Sequence, residues 1–354
     1  MFLLSLGLWA FLAGVASART CYNVTVPVAV SARNGNFVFD TPKTNLDATR
    51  FALALSRQGR NITEELLDGY NTVSGEYNLA TQYCMPDNAV GKDATVQVLT
   101  HGIGFDKTYW DLPYNDYNYS YVEYALSRGY HTLSYDRLGV GSSSHGEPKN
   151  EIQQFLEVEA LAQLIRTLRN GSFPRLKKTP SKVVHVGHSF GSLQTYSLTA
   201  KYPYLSDGIV LSGFSLNSSF VSYFWARTTD AGNCEYLFFE PPYFDPKVLA
   251  MAEQTKQPVT VGELLTVSSA PAKTDFTGPV LLISGTNDLP FCGGDCLATG
   301  GTAASIPAQA KVAFPSAKAW SVYIQPNTGH GLNLHYNATA GYKQIADFLQ
   351  AHSL

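Results

Sequence analysis

The feature that most constrains the fold of this chain is the pentapeptide Gly187-His188-Ser189-Phe190-Gly191. A short run rich in β-branched residues, 183–186, precedes it, and a helix-compatible stretch follows it. A buried strand that bends sharply into a helix, with one serine at the bend, has this order of residues. We therefore expect Ser189 to lie in a strained turn, with the two glycines allowing the strand and helix backbones to approach each other.

Strands and helices are predicted to alternate along most of the chain. Residues 94–100 form a near-continuous apolar run, as in a strand that is buried on both faces. Residues 151–169 keep the apolar spacing of a helix. Further strands are predicted at 23–32 with 37–39 as a continuation, in a hairpin within 70–83, and at 131–135, 183–186, 208–211, 279–284 and 319–324, and further helices at 46–55, 119–128, after Gly191 and at 342–349. This order predicts an α/β fold with a mostly parallel central sheet and helices on both faces.

The chain has 354 residues, which is enough for one large α/β domain with an insertion. Its first residues are predicted to be a secretory signal peptide, because an apolar core at 2–13 precedes the small residues Ala16-Ser17-Ala18. An aromatic-rich region without a core-type strand follows the strand at 208–211, so we predict an inserted cap there. We divide the chain into the signal peptide 1–18, a first core part 19–213, the cap 214–276 and a second core part 277–354.

Composition and motifs indicate the compartment and the class of partner. With 25 Lys and Arg against 28 Asp and Glu and no basic cluster, nucleic acid is not an expected partner. After the signal peptide no stretch approaches the length of a transmembrane helix, so we expect no stable membrane insertion. The signal peptide and six glycosylation sequons together predict a secreted, extracellular glycoprotein. The sequons begin at Asn23, Asn61, Asn118, Asn170, Asn217 and Asn337.

All five cysteines follow the signal peptide, so two disulfides and one free thiol are expected. Cys292 and Cys296 enclose a short turn and are the first expected pair, and Cys21 with Cys84 is the second. Five cysteines allow fifteen such arrangements. A metal site is disfavoured, because three residues separate Cys292 from Cys296 and no histidine is nearby.

Five motifs follow predicted strands, and together they resemble those of the α/β-hydrolase superfamily over about residues 95–350. More narrowly, the chain resembles secreted fungal α/β hydrolases. The motifs are His101-Gly102-Ile103-Gly104, Asp136-Arg137-Leu138-Gly139-Val140-Gly141-Ser142, Gly187-His188-Ser189-Phe190-Gly191, Gly285-Thr286-Asn287-Asp288 and Gly329-His330-Gly331.

Ser189 is the candidate nucleophile, and a serine needs a base within hydrogen-bond reach to act as one. His330 and His335 both follow the last predicted strand. The resemblance favours His330, because the superfamily's histidine lies in the first loop after that strand. Its flanking glycines would let the ring approach Ser189. For His101, His185 and His188 we expect packing and loop hydrogen bonding.

Asp288 is the candidate acid that orients the histidine and stabilises the imidazolium. It follows the strand at 279–284 by four residues, where the superfamily usually has its acid. Asp295 and Asp275 are alternatives with poorer spacing. Asp136 precedes the serine in the chain, and we expect it to hold its loop together with Arg137.

The resemblance also implies an oxyanion hole made of two backbone N–H groups. One would come from Phe190, the residue after the nucleophile. The other would come from Ile103, with Gly104 as the alternative. Backbone donors suffice for this role, so apolar side chains at these positions are no obstacle.

These residues predict a carboxylesterase- or lipase-like serine hydrolase that acts on an apolar, small-molecule ester or lactone through an acyl-enzyme. A peptidase or amidase similar to proline iminopeptidases is the alternative within the same chemistry. A non-catalytic ligand-binding protein, or a structural glycoprotein, is the alternative outside it. No cofactor is expected, because no dinucleotide-binding glycine motif follows a strand and no cluster of metal ligands is apparent.

Overall fold

Eight strands form one sheet in the order β1-β2-β4-β3-β5-β6-β7-β8. The structure is a computed structural model that describes residues 19–87, 94–220 and 233–354. The predicted signal peptide lies outside the described residues. The strands are β1 (Arg19–Phe37), β2 (Leu67–Pro86), β3 (Thr95–Thr100), β4 (His131–Tyr135), β5 (Lys182–His188), β6 (Gly208–Ser212), β7 (Val280–Gly285) and β8 (Trp320–Gln325).

Strands β3 to β8 are parallel to one another, whereas β1 pairs antiparallel with β2 and β2 pairs antiparallel with β4. The carboxyl ends of all six parallel strands therefore lie at one edge of the sheet, which is where α/β proteins build their sites. The predicted α/β class and mostly parallel sheet are confirmed.

The two antiparallel strands are longer than the sequence suggested. Residues 70–83 were expected to contain a hairpin of their own, but they belong to β2, a single strand of 20 residues. Its hairpin partner is β1, and the pairing runs from Arg19 opposite Pro86 to Phe37 opposite Leu67. The prediction of a hairpin within 70–83 is therefore wrong. Every second residue of β1 is buried from Val26 to Asn34, the pattern of a strand with one face against the core.

The helices cover both faces of the sheet. Val98 and Leu99 of β3 lie in different clusters of buried residues, and successive side chains of a strand point to opposite faces. One cluster includes residues of α4, such as Leu161, and the other includes Ile345 of α10. The helices are α1 (Asn45–Leu55), α2 (Ile62–Leu66), α3 (Tyr121–Ser127), α4 (Gln154–Arg169), α5 (Phe190–Lys201), α6 (Asn233–Phe238), α7 (Pro246–Thr255), α8 (Val261–Thr266), α9 (Leu289–Cys292) and α10 (Ala338–Ala351), with short 3-10 helices at Lys107–Trp110, Pro203–Leu205, Pro307–Ala313 and Leu332–Leu334.

The segment between β6 and β7 carries three of these helices, α6, α7 and α8. Its described residues, 213–220 and 233–276, contain no strand of the sheet. In the described part of the chain, no helix has the length and apolar character needed to cross a membrane.

Candidate active site

Ser189 lies between the end of β5 and the first residue of α5, with φ 55° and ψ −119°. A non-glycine residue with positive φ is strained and persists only where its surroundings enforce it. A β-carbon at Gly187 would lie 2.4 Å from the carbonyl oxygen of Gly191, so the turn closes only with glycine there. Ser189 N–H donates to Ser212 O on β6 at 2.9 Å, which anchors the turn to the sheet. The predicted strand–serine–helix turn is present.

His330 lies in the loop after β8 and is fully buried. Its Nε2 is 2.8 Å from Ser189 Oγ, and the hydroxyl donates to it. The rings of Phe238 and Phe291 each lie 5.5 Å from the imidazole, centroid to centroid. These aromatic rings exclude water from the imidazole and hold its orientation.

Asp288 follows β7, where it caps the N-terminus of α9. Its Oδ2 accepts hydrogen bonds from His330 Nδ1–H and from Ser284 Oγ–H, both at 2.8 Å. Its Oδ1 accepts from Phe291 N–H at 3.0 Å. Both carboxylate oxygens are thus partnered although the side chain is fully buried. The structure brings Ser189, His330 and Asp288 into one hydrogen-bonded line.

Both expected cysteine pairs are joined as disulfides. Cys292 at the end of α9 is bonded to Cys296, and Cys21 of β1 is bonded to Cys84 of β2. Cys234 is a buried free thiol. The Cys292–Cys296 bond closes a loop directly after Asp288, and Cys296 N–H donates to Thr286 O in front of it. The loop that carries Asp288 is therefore tied at both ends.

The alternative residues lie elsewhere. His335 is bonded through Nε2 to the N–H groups of Glu240 and Gly329, at 2.9 and 3.1 Å, so it joins the segment after α6 to the His330 loop. Burial lowers the pKa of His335 to about 4, which keeps its ring neutral. Asp295 and Asp275 are exposed, and Asp288 is the carboxylate bonded to His330.

Asp136 holds its loop as expected, since its carboxylate accepts from Ser142 N–H at 3.0 Å, but it does so without binding Arg137. Its carboxylate binds Lys107 Nζ at 2.8 Å and accepts from Lys107 N–H at 3.0 Å. Arg137 instead points into the protein, where Nη1 binds Glu157 at 2.7 Å and also binds Glu263. Adjacent side chains on an extended backbone point in opposite directions, which accounts for the difference.

The loop after β3 packs against Ser189. A β-carbon at Gly102 would lie 2.8 Å from Ser189 Cβ, so this contact requires glycine. Ile103, the next residue, lines the same cavity as Ser189, whereas Gly104 lies against the Phe238 ring. On the other side of Ser189, Phe190 is the first residue of α5, and N–H groups of the first helical turn have no partner within the helix.

His188 adds a second imidazole that the sequence had assigned to packing. Its ring stacks on Tyr109 at 4.4 Å and lies 4.9 Å from the His330 ring. Burial, together with the positive charge that His330 can carry, lowers the pKa of His188 well below its usual range. His188 therefore stays neutral and does not compete with His330 for a proton. No sequence motif predicts the contact between Tyr109 and His188.

A cavity of about 150 Å³ opens beside Ser189. Most of its wall is apolar, and hydroxyl and amide groups supply the rest. Among the described lining residues none is charged, and in the described part of the chain no group of three or more His, Cys, Asp and Glu side chains could hold a metal ion. The lining residues are Ile103, Ser189, Phe190, Leu193, Phe214, Ser215, Leu216, Asn217, Ser218, Val267, Ser268, Ala270, Pro290 and Phe291.

Comparison with known proteins agrees with this architecture. An esterase from Thermogutta terrifontis is 18% identical with a TM-score of 0.54, over 78% of this chain and 95% of its own. A protein of Mycobacterium tuberculosis is 18% identical with a TM-score of 0.55, over 80% and 96%. An alpha/beta hydrolase fold protein from Chitinophaga pinensis is 16% identical with a TM-score of 0.55, over 77% and 94%. At these identities the likeness establishes the fold.

Sequence comparison with curated proteins finds no significant match. The model of the alpha/beta hydrolase family matches residues 97–341, more than half of the chain, and spans the loop after β3, the turn at Ser189, Asp288 and His330. The chain therefore belongs to the alpha/beta hydrolase family.

Proposed function

We propose that this protein is a secreted serine hydrolase that cleaves a carboxylic ester of small, apolar groups through an acyl-enzyme intermediate. The observation that carries the proposal is the line of hydrogen bonds from Ser189 Oγ through His330 to Asp288, at the wall of an apolar cavity. A nucleophile, a base and an orienting acid in this geometry are what acyl transfer to serine requires.

In the first half-reaction, Ser189 Oγ attacks the ester carbonyl carbon while His330 Nε2 takes the hydroxyl proton. Asp288 stabilises the imidazolium that forms. The tetrahedral intermediate then collapses, the C–O bond to the leaving alcohol breaks, and His330 returns the proton to that alcohol. In the second half-reaction a water molecule, deprotonated by His330, releases the acid by the same steps.

The negative charge on the tetrahedral oxygen would be stabilised by the N–H groups of Phe190 and Ile103. Phe190 heads α5, whose N-terminal partial positive charge also favours an anion. Preorganised donors of this kind contribute about 10²–10³-fold in kcat each.

The cavity supports an acyl or alcohol group of limited size. A cavity of about 150 Å³ lined by leucine, isoleucine and phenylalanine holds a molecule the size of benzene.

The absence of charge among the described lining residues favours esters or lactones over peptides with a free amine, since an ammonium group would lose hydration without gaining a carboxylate. This supports ester hydrolysis over the peptidase alternative. The complete hydrogen-bonded line in turn supports catalysis over ligand binding alone. The esterase activity named for the Thermogutta terrifontis protein agrees with this proposal.

Secretion is proposed from the N-terminal sequence and the sequons, and the narrower likeness to secreted fungal hydrolases agrees with it. Asn23, Asn61, Asn118 and Asn170 are exposed, so a glycan fits at each. Asn217 is half-buried beside the cavity, and Asn337 uses its amide to bind Pro326 O at 2.7 Å. We expect glycans at the four exposed sites and none at Asn337, which mass spectrometry of the secreted protein measures directly.

We also propose that residues 214–276 act as a cap, because several of them line the cavity next to Ser189. Phe214 and Leu216 contribute from one end of the segment, and Val267 from the other. Both ends of the segment therefore shape the space that the substrate would occupy.

The decisive experiment treats the mature protein with a fluorophosphonate probe and a series of p-nitrophenyl esters. Ser189→Ala is expected to abolish both labelling and turnover. Ser192→Ala is the matched control, because Ser192 is also buried and its hydroxyl donates to Ser212 O. Labelling that persists in Ser189→Ala would refute the proposed nucleophile, and no ester turnover by the unmodified protein would refute ester hydrolysis.

The ester series also tests the size of the pocket. We expect butyrate, hexanoate and benzoate esters to exceed decanoate by at least about tenfold in kcat/KM. Leu193→Ala, which enlarges the cavity, should shift the optimum to longer chains. Leu198→Ala, buried on the same helix but in the other core cluster, should not.

A further inference from the structure

His101 is a fully buried histidine outside the Ser189–His330–Asp288 line, and both of its ring nitrogens are used. Its Nε2 lies 3.1 Å from the backbone nitrogen of Arg137, and its Nδ1 lies 2.8 Å from Gly102 O. A backbone N–H can only donate, so Nε2 is the acceptor and the proton of the neutral ring is on Nδ1. Nδ1–H therefore donates to Gly102 O.

Gly102 O belongs to the same peptide group as the N–H of Ile103. A peptide is planar and trans, so its C=O and N–H point in opposite directions. A hydrogen bond that fixes the C=O of this peptide therefore fixes the direction of the Ile103 N–H. The peptide also lies against the nucleophile, since a β-carbon at Gly102 would be 2.8 Å from Ser189 Cβ.

We propose that His101 is a positioning residue for the oxyanion hole, which aims the Ile103 N–H by holding the carbonyl of the Gly102–Ile103 peptide. This inference rests on the proposed function, because the direction of that N–H matters only if Ser189 forms a tetrahedral intermediate. His101 itself touches no reacting atom.

Arg137 contacts both His101 and Phe190. Its backbone N–H fixes the tautomer of His101, because an Nε2 that accepts cannot carry the ring proton. Its guanidinium lies 4.9 Å from the centroid of the Phe190 ring, whose residue supplies the other proposed donor. One buried residue thus supports both arms of the hole. Burial and the charge of Arg137 lower the pKa of His101 well below its usual range, so the ring keeps this tautomer across ordinary assay conditions.

Two substitutions of His101 test the hydrogen bonds of its two ring nitrogens separately. The amide of asparagine can occupy the position of Nδ1 and donate to Gly102 O, whereas the amide of glutamine reaches the position of Nε2. We expect His101→Asn to retain kcat within about tenfold, the scale of one lost hydrogen bond. His101→Gln and His101→Phe should lower kcat about 100-fold, as for a lost oxyanion donor, with KM nearly unchanged.

The matched control is His185→Phe. His185 is also fully buried and bonds through Nδ1 to Ser206 Oγ at 2.7 Å, but it lies on β5 before the turn. The substitution should lower the melting temperature without a selective loss of kcat. A second measurement is the affinity for phenylboronic acid, which forms a tetrahedral adduct with the serine. It should fall in His101→Gln and His101→Phe by the same factor as kcat/KM.

The inference is overturned if His101→Asn and His101→Gln lose kcat equally, or if boronate affinity stays unchanged while kcat falls. It is also overturned if His185→Phe lowers kcat as much as His101→Phe. Fluorophosphonate labelling separates a failure of this inference from a failure of the proposed function. If only the inference fails, the His101 variants are still labelled at Ser189. If the proposed function fails, labelling does not depend on Ser189. If His101→Phe does not fold, the asparagine and glutamine variants alone decide the outcome.

Discussion

Two sets of buried ionisable side chains lie close to the nucleophile turn, and they are built in opposite ways. The proposed catalytic set comprises Ser189, His330 and Asp288, and each carboxylate oxygen of Asp288 has a hydrogen-bond partner. The Arg137 cluster comprises Arg137, Glu157 and Glu263, with one cation between two carboxylates.

The two sets are both buried, but they differ in how completely their polar atoms are hydrogen-bonded. Within the described residues, Nε and Nη2 of the buried Arg137 have no hydrogen-bond partner. With both glutamates ionised the cluster would carry a net negative charge, and burial followed by the charge of Glu263 raises the pKa of Glu157 to about 8. The carboxylate of the proposed catalytic set is therefore fully hydrogen-bonded, whereas the Arg137 cluster holds elements together at an electrostatic cost that depends on pH.

The largest effect is expected from Asp288→Asn. The amide still caps α9 but cannot stabilise the imidazolium or hold the same tautomer, so kcat should fall about 10⁴-fold while the fold is retained. Ester hydrolysis and circular dichroism measure the two quantities. Asp295→Asn, an exposed carboxylate in the neighbouring loop, is the control and should leave kcat unchanged. Comparable losses in both variants would contradict the assigned acid.

Arg137→Met should have the largest effect on stability. It leaves the buried carboxyl groups of Glu157 and Glu263 without their cation, which costs about 3–5 kcal/mol in the free energy of unfolding. Chemical denaturation measures this loss. Arg169→Met removes a half-exposed pair with Asp207 and should cost less than about 1 kcal/mol. Equal costs for the two variants would mean that the buried cluster contributes no more than a surface pair.

The pH dependence of stability sharpens the contrast further. Folded Glu157 keeps its proton up to about pH 8, whereas the unfolded side chain loses it near its ordinary pKa of 4.5. The folded state thus binds more protons between these values, and the free energy of unfolding falls as pH rises through this window, by an amount on the order of a few kcal/mol.

Glu157→Gln removes this titration and should flatten the fall of stability between pH 5 and 8. Denaturation midpoints across this range provide the measurement. Asp207→Asn, which alters a half-exposed carboxylate, should leave the slope as it is in the unmodified protein. A slope that is unaffected by Glu157→Gln would show that the proton is held elsewhere.

The smallest effect is expected from the disulfide next to the acid. Replacement of both Cys292 and Cys296 by serine should cost about 2 kcal/mol, since the closed loop is short. It should also lower kcat a few-fold, because Asp288 loses part of its support. The paired replacement of Cys21 and Cys84, which opens a much longer loop far from Asp288, should cost more stability and spare kcat. Unchanged stability and turnover in the first variant would show that the loop is rigid without the bond.

The proximity of Ser189, His330 and Asp288 could be predicted because most of the signal is in the local sequence around each residue. The turn at Ser189 is specified by its own glycines, and both Asp288 and His330 follow strands whose carboxyl ends meet at one edge of a parallel sheet. Asp288 and His330 are 42 residues apart in the chain. The order of the strands in the sheet brings them together, and no single motif contains both.

The Arg137 cluster could not be predicted in this way. Glu157 and Glu263 are 20 and 126 residues from Arg137, and no sequence motif links either of them to it. The length of β1 and β2 was missed for a related reason. Their outer parts alternate polar and apolar residues over a glycine-interrupted stretch, and only their mutual pairing makes them continuous.

The link through His335 has a mechanical consequence for substrate entry. Its ring joins the residue after Phe239 to the His330 loop, and Gly331 N–H adds a bond to Phe238 O at 2.7 Å. The end of α6 is thus hydrogen-bonded to the loop that carries His330, the proposed base. A gate that swung this end outward would drag His330 away from Ser189. The position of this end of α6 is therefore coupled to the position of His330.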